Sequence, residues 1–289
     1  GHTIPLVLAQ PDRPVGRKQV LTAPPIKVAA RAAGLTAIQP EKIRNNTDLR
    51  AQLESIAPDA IVVVAYGRII PAWMLTLPRL GCINLHGSLL PKYRGAAPIQ
   101  WAVASGETVT GNTTMLLEEG LDTGPILLQQ QIPIAPGQTA ADLFPILAEQ
   151  GAPLVVETLT GLERGTIKPQ PQNHALATLA PILTREDGHM DFAARNASEL
   201  YNRWRGFQPW PGGFALLDGK KLIVHRMEVA SLTRNAEPGT LVVDGAKILA
   251  ACSGNTWIEL IELQPEGKKP MPAADFLRGH QLQSGIRLV

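Results

Sequence analysis

Residues 61–65 read Ile-Val-Val-Val-Ala, a continuous apolar run that ends at Tyr66 and Gly67. A short, uninterrupted run of this kind is typical of a strand buried on both faces, as in a parallel sheet covered by helices. Further candidates alternate around it, with strands at residues 81–86 and 113–117 and helices at residues 24–34 and 97–105. This alternation predicts an α/β domain with a mostly parallel sheet flanked by helices.

The chain enters its first candidate strand already at residues 4–9 and has no initiator methionine. The first strand of an α/β domain is usually central in its sheet. Removing such a strand would leave open sheet edges and unpaired backbone groups. We therefore expect the natural protein to have an additional strand and helix before Gly1.

Length and composition indicate a globular protein with more than one domain. The 289 residues can form two cores, and 45% hydrophobic with 18% charged residues is typical of soluble proteins. No apolar run approaches the roughly 20 residues that span a bilayer, and we see no secretory signal. Cys82 and Cys252 have no metal-ligand spacing, so a reduced, cytoplasmic protein is expected. The formal net charge of +2 gives no indication of a nucleic-acid partner.

The character of the sequence changes near Gly165. Residues 168–174 are polar and rich in proline, which predicts a linker over residues 166–183 between domains at residues 1–165 and 184–289. In the second domain, Ser198 is the candidate cap of a short helix. Strand candidates follow, some separated by Asp-Gly turns, at residues 213–217, 221–229, 239–243, 247–252 and 256–263. Short strands at this spacing predict a small C-terminal β-barrel.

The residues that suggest chemistry are concentrated at the end of the strand at residues 81–86. Asn84 and His86 stand two apart, so both side chains point to one face at the carboxyl end of the strand, where α/β sheets bind ligands. Asn can donate a hydrogen bond to a developing oxyanion, and His can donate or transfer a proton. Asp122 follows a later strand, in a loop from which its carboxylate could reach the same crevice. Singly, each of these residues is more often a turn former or a structural hydrogen-bonding group.

Residues 84–100, with Leu-Asp-Thr-Gly at 121–124, resemble the formyltetrahydrofolate-dependent transferases. The resemblance covers nearly the whole chain and implies a Rossmann-like catalytic domain followed by an OB-like barrel. It implies that Asn84, His86 and Asp122 are catalytic. It also implies two folate-binding segments, namely the signature residues Ser88, Leu89, Leu90 and Pro91, and the pterin-lining residues Ala65, Tyr66 and Gly67.

By this resemblance, an amine attacks the formyl group of 10-formyltetrahydrofolate and a tetrahedral intermediate forms. Asn84 and His86 would stabilise its oxyanion. Asp122, directly or through water, would help to move the proton from the amine to the departing folate nitrogen. No metal is expected, because a carbonyl polarised by two donors can accept an amine.

Residues 10–18 resemble the basic loop that family members acting on methionyl-tRNA insert into this domain. The resemblance implies that the substrate is initiator methionyl-tRNA, formylated for translation initiation. It makes Arg13, Arg17 and Lys18 candidate tRNA contacts, with Arg17 the best candidate for the acceptor end. Lys268 and Lys269 match a family pattern and are candidate phosphate contacts. Without the resemblance, these cations would be interpreted as solvated surface residues.

Two other functions are compatible with the sequence. A formyltransferase acting on an amino sugar nucleotide would have a nucleotide pocket in place of tRNA contacts. A folate- or tRNA-binding protein without catalytic activity is a third interpretation, but it would not require Asn84, His86 and Asp122 to be intact. We expect a monomer.

Overall fold

The computed structural model describes the chain except for residues 17, 233, 281, 283 and 284. The strands are β1 (Val7–Leu8), β2 (Arg13–Val15), β3 (Val20–Thr22), β4 (Ala37–Ile38), β5 (Ile61–Val64), β6 (Cys82–His86), β7 (Val109–Leu116), β8 (Ile126–Pro133), β9 (Gly213–Leu217), β10 (Lys220–Ala230), β11 (Leu241–Asp244), β12 (Lys247–Cys252), β13 (Thr256–Pro265) and β14 (Met271–Pro272). The helices are α1 (Pro25–Ala32), α2 (Thr47–Ile56), α3 (Ala72–Leu75), α4 (Pro98–Ala104), α5 (Ala140–Glu163), α6 (Ala197–Gly206) and α7 (Ala273–Gly279).

The chain divides into two compact units, each built from several segments. The first unit comprises Gly1–His86, Thr113–Gln129 and Pro153–His174. The second comprises Gly87–Asn112, Gln130–Ala152 and Ala175–Val289.

The strand pairings of the first unit place β6 inside a sheet. Strand β1 pairs with β4, and β5 pairs with β6, both in parallel, whereas β6 and β7 are antiparallel. Strands β5, β6, β7 and β8 form one sheet in that order. Helices α2 and α3 contribute Leu49, Leu53 and Met74 to a hydrophobic core, so helices and sheet pack together. The α/β class predicted from the sequence is confirmed.

Strand β5 corrects one sequence-based expectation. Its residues alternate in burial, with Ile61 and Val63 half-buried and with Val62 and Val64 exposed by 42% and 56%. The prediction that this strand is buried on both faces is wrong, because the described residues cover only one of its faces.

Helix α5 is continuous through the Gly-Ala-Pro sequence at residues 151–153. The helix starts after Thr139, whose backbone N–H and hydroxyl donate to the Asp142 carboxylate at 2.9 and 2.6 Å. It ends before Gly165, which has a φ of +68°. Pro153 has no backbone N–H to donate to the carbonyl of Glu149. Because Glu149 is exposed, water can donate a hydrogen bond to that carbonyl instead.

In the second unit, β9 to β14 form an antiparallel sheet in the order β11-β12-β13-β10-β9, with β14 paired to β13. Asp218 and Gly219 both have positive φ, +50° and +74°, the turn geometry that the Asp-Gly pair predicts. Helix α6 is capped by Asn196 rather than by Ser198. The Asn196 side chain accepts from Glu199 N, and the Glu199 carboxylate accepts from Asn196 N, which makes a capping box.

Residues 286–289 hydrogen-bond to both outer strands of this sheet. The backbone N–H of Leu241 in β11 donates to the carbonyl of Ile286 at 2.7 Å. On the other side, the N–H of Leu216 in β9 donates to Val289 O at 2.6 Å, and Val289 N donates back to Leu216 O at 3.0 Å. The segment therefore supplies backbone partners to both edges.

Candidate active site

Asn84 and His86 lie in β6, which pairs with a strand on each side. Because side chains alternate along a strand, these two residues project from the same face. His86 is 5% exposed and lies opposite Thr113 of β7, whereas Asn84 is half-buried. The sheet thus fixes the imidazole within the protein and leaves the amide partly accessible.

Asp122 lies in the loop between β7 and β8, and the structure brings it to His86. Its Oδ2 is 3.7 Å from His86 Nδ1, and the two side chains are only 13% and 5% exposed. This separation exceeds the roughly 3.2 Å limit of a direct N–H···O bond. The carboxylate and the imidazole nevertheless lie within ion-pair distance and are largely shielded from water.

The Asp122 loop has a tightly specified backbone. Asp122 has a φ of +49°, in the left-handed region that Asp tolerates better than most residues. A Cβ on Gly124 would lie 1.9 Å from the carbonyl oxygen of Leu116, so only glycine fits there. Gln172 donates its side-chain amide to the carbonyls of Asp122 and Gly124, at 2.8 and 2.7 Å. Gln172 falls in the segment for which the sequence predicts only a linker.

The signature residues that follow β6 along the chain belong to the second unit. Ser88 is fully buried, and its hydroxyl donates to the carbonyl of Lys92 at 2.7 Å, while Leu90 is 3% exposed. The Leu90–Pro91 peptide bond is cis. Leu89 and Pro91 are half-buried. Within this segment, Ser88 and Leu90 hold the loop, and the more accessible Leu89 and Pro91 are available to a ligand.

Residues 65–67 form a turn after β5. Ala65 and Gly67 are exposed and have φ values of +45° and +72°. The carbonyl of Tyr66 accepts a hydrogen bond from Gln10 Nε2 at 2.6 Å. Burial raises the pKa of the Tyr66 hydroxyl, whose oxygen is buried without a hydrogen-bond partner among the described residues. The turn therefore exposes backbone on both sides of a partly buried ring.

The basic loop is a hairpin formed by β2 and β3. Arg13 and Lys18 are exposed, whereas Arg17 lies outside the described residues. Lys27 makes an ion pair with Asp12 at 2.8 Å and is itself buried. This hydrogen bond from Lys27, together with one from Gln39, lowers the pKa of Asp12. The pair anchors the base of the hairpin, while Arg13 and Lys18 present their charges to solvent.

Lys268 and Lys269 lie exposed between β13 and β14. The backbone of Lys268 is held in place by Gln264, whose Nε2 donates a hydrogen bond to the Lys268 carbonyl at 2.8 Å. Lys221 of β10, which no sequence pattern indicates as functional, is close by, since its carbonyl accepts from the N–H of Glu266 at 3.0 Å. Its ammonium lies 3.7 Å from the centroid of the Phe214 ring. The backbone of Lys221 and the segment that carries Lys268 and Lys269 therefore meet at one end of this sheet.

Comparison with known proteins assigns the family. Residues 1–159 match the family model described as formyl transferase, and residues 182–281 match its C-terminal domain model. The chain belongs to the formyl transferase family. A curated relative from Acidobacterium capsulatum, named methionyl-tRNA formyltransferase, is 64% identical over 100% of this chain and 92% of its own length. One of the same name from Koribacter versatilis is 56% identical over 100% of this chain and 91% of its own.

Solved structures share the formyl transferase fold at low sequence identity. HypX from Aquifex aeolicus, in complex with tetrahydrofolic acid, is 17% identical with a TM-score of 0.61, over 94% of this chain and 46% of its own. An N-formyltransferase from Helicobacter canadensis, in complex with folinic acid and dTDP-3-aminofucose, is 15% identical with a TM-score of 0.63, over 91% of this chain and 100% of its own. At these identities the likeness establishes the fold alone.

Two further findings concern the described part of this formyl transferase. It contains no group of three or more His, Cys, Asp or Glu side chains that could hold a metal ion. None of its described helices combines the length and the apolar character that crossing a bilayer requires.

Proposed function

We propose that this formyltransferase transfers the formyl group of 10-formyltetrahydrofolate to the α-amino group of methionine on initiator methionyl-tRNA. The relatives that are 64% and 56% identical carry the name of that activity and align with the whole chain. The observation on which the catalytic part rests is the approach of Asp122 to His86, 3.7 Å apart and largely shielded from water.

Each of the three polar residues has a role in the transfer. When bound, the folate supplies the formyl group. The Asn84 amide and the His86 imidazole donate hydrogen bonds to the formyl oxygen as negative charge develops on it. The Asp122 carboxylate orients the imidazole and receives the proton that the attacking amine loses, which finally goes to the departing folate nitrogen. The new C–N bond to methionine and the broken C–N bond to folate balance the reaction.

Two segments are proposed to bind the folate. Ala65, Tyr66 and Gly67 expose backbone groups in a turn, which fits a flat ring with hydrogen-bonding edges. The segment of Ser88, Leu89, Leu90 and Pro91 offers half-buried apolar side chains on a loop that its buried residues keep rigid. A tetrahydrofolic acid and a folinic acid complex among the related folds support a folate as the donor.

The tRNA is proposed to contact two basic sites, one in each half of the sequence. The first is the hairpin with Arg13, Arg17 and Lys18, and the second is the pair Lys268 and Lys269. Phosphate contacts of this kind position a nucleic acid without reading its sequence. We further propose a catalytic domain at residues 1–165, a linker at 166–183, and a tRNA-binding, OB-like barrel at 184–289. The enzyme is proposed to be a cytoplasmic monomer that needs no metal.

The test is transfer of labelled formyl from 10-formyltetrahydrofolate to charged initiator methionyl-tRNA. We compare the wild type with Asn84→Ala and with Asn45→Ala, a control at an exposed asparagine outside the site. Loss of one oxyanion donor typically lowers kcat by about 100- to 1,000-fold. We expect a loss of this size for Asn84→Ala and wild-type rates for Asn45→Ala.

Each outcome has a defined meaning. Equal rates for Asn84→Ala and the wild type would remove Asn84 from the mechanism. Transfer to an amino sugar nucleotide but not to tRNA would replace the proposed acceptor. A folded protein that binds folate and transfers formyl to neither acceptor would be a binding protein, as the third interpretation holds.

A further inference from the structure

Gln172 is a buried polar residue, 5% exposed, in a segment without regular secondary structure. Its side-chain amide donates to two carbonyls of the loop between β7 and β8, those of Asp122 and Gly124. Two residues earlier, the backbone N–H and C=O of Gln170 exchange hydrogen bonds with Ile126, both at 2.8 Å. Residues 170–172 thus run alongside this part of the chain and bond to two residues of the loop and to the first residue of β8.

The loop needs such support because its conformation is unusual. Asp122 has a φ of +49°, and a non-glycine residue in this region persists only where its surroundings stabilise it. At the other end, Gly124 lies too close to the carbonyl of Leu116 to accept any side chain. A two-pronged donor that holds the carbonyls of residues 122 and 124 fixes the backbone on both sides of Thr123, and therefore the origin of the Asp122 side chain.

We propose that Gln172 is a positioning residue for the reaction, which holds the Asp122 carboxylate beside His86 by binding the loop carbonyls. The catalytic part of this inference rests on the proposed function. Gln172 acts through the backbone of Asp122, because its amide donates to main-chain oxygens of the loop.

The chemistry of the site requires an amide. A primary amide nitrogen has two N–H groups, and each of the two carbonyls accepts one. Glutamate has nearly the same shape but would place a carboxylate against two carbonyl oxygens. Methionine has a similar length and no donor, so Gln172→Met removes the hydrogen bonds with little change in volume. Misplacement of a reacting group by about 1 Å can reduce a rate by about 100-fold.

The matched control is Gln170→Met. Gln170 lies in the same segment, its side chain is exposed, and its described bonds to the loop come from the backbone, which the substitution retains. The first readout is hydrogen exchange of peptides covering residues 116–128. The N–H of Leu116 donates to Pro125 O and that of Ile126 donates to Gln170 O, so their exchange reports whether the loop is docked. This readout needs no substrate.

The second readout is steady-state formyl transfer, alone and combined with Asp122→Asn. For Gln172→Met we expect faster exchange at these amides and a kcat lower by about 10- to 100-fold, with both KM values within about threefold of wild type. In the Asp122→Asn background, the same change should lower kcat by less than about threefold, since residues that act through one another are not additive. Gln170→Met should match the wild type throughout.

Several results would overturn the inference. The inference fails if Gln172→Met leaves the hydrogen exchange of the loop or the kcat unchanged. It also fails if Gln172→Met lowers kcat by the same factor in the Asp122→Asn background as in the wild type, because Gln172 would then act independently of Asp122. Should Gln172→Met fail to fold, Gln172→Glu serves as the second variant under the same criteria. If the wild type transfers no formyl to tRNA, the proposed function fails, and the exchange data still decide whether Gln172 holds the loop.

Discussion

Gly206, the last residue of α6, lies in close contact with the backbone of α4. A Cβ at this position would lie 2.6 Å from Ala104 N, 2.7 Å from Gln100 O and 2.8 Å from Ala104 Cα. These are backbone atoms, so no side chain can rotate away. Gly206→Ala therefore forces the two helices apart.

The size of the effect follows from these distances. An ordinary carbon contact begins at 3.4 Å, so the helices must separate by nearly 1 Å. Overpacking of this kind costs about 1–3 kcal/mol, and the better helix propensity of alanine offsets up to about 1 kcal/mol. For a protein of this size, each kcal/mol lowers Tm by about 2–4 °C. We expect Gly206→Ala to unfold several degrees below the wild type.

Gly279→Ala is the matched control, because Gly279 also ends a helix and a Cβ there would have no neighbour within 4 Å. Thermal unfolding followed by circular dichroism measures both variants against the wild type. Gly279→Ala should have an equal or higher Tm. If Gly206→Ala unfolds at the same temperature as Gly279→Ala, the close approach of α4 and α6 does not limit the size of residue 206.

Two further predictions concern charged groups. Replacing both Lys268 and Lys269 by alanine should raise KM for tRNA and reduce the dependence of log KM on log salt by about 2, because each lysine that neutralises a phosphate contributes about 1 to this slope. Lys247→Ala, at an exposed lysine already paired with Glu259, is the control and should leave that dependence unchanged. The ion pair of Asp12 with Lys27 should make the stability of the folded protein depend on pH in the acidic range. Because the pKa of Asp12 is lowered in the folded state, its contribution is present above the unfolded pKa of about 4 and is lost as pH falls through the lower folded value. Lys27→Met should therefore show a shallower fall in Tm as the pH is lowered below about 4. An identical slope in both proteins would contradict this assignment.

Elements with strong local signals could be predicted from the sequence. β9 and β12 have the predicted bounds, since Asp-Gly turns fix the end of one and the beginning of the other. The sequence does not indicate strand β8, because its centre is three consecutive glutamines, which conceal the apolar alternation. The sequence predicts only a loop where β2 and β3 form a hairpin, because strands of three residues with proline and glycine carry little periodicity.

The candidate site, too, contains residues that local sequence patterns predict and one residue that they do not. The period of two residues along a strand was sufficient to place Asn84 and His86 on one face. The approach of Asp122 to His86 was anticipated from the position of its loop after a strand. Gln172 could not be found in this way, because it lies 50 residues from Asp122 in a segment whose composition indicates a linker. Its role depends on a tertiary contact that no local pattern encodes.

The position of residues 286–289 bears on how the protein behaves at high concentration. An exposed strand edge is a row of unsatisfied donors and acceptors that a neighbouring molecule can extend. Here the outer strands β9 and β11 both find partners within their own chain. Release of this short segment would open two complementary edges at once, and molecules could then join edge to edge in an unlimited row. Residues 286–289 thus occupy edge groups that a neighbouring molecule could otherwise extend.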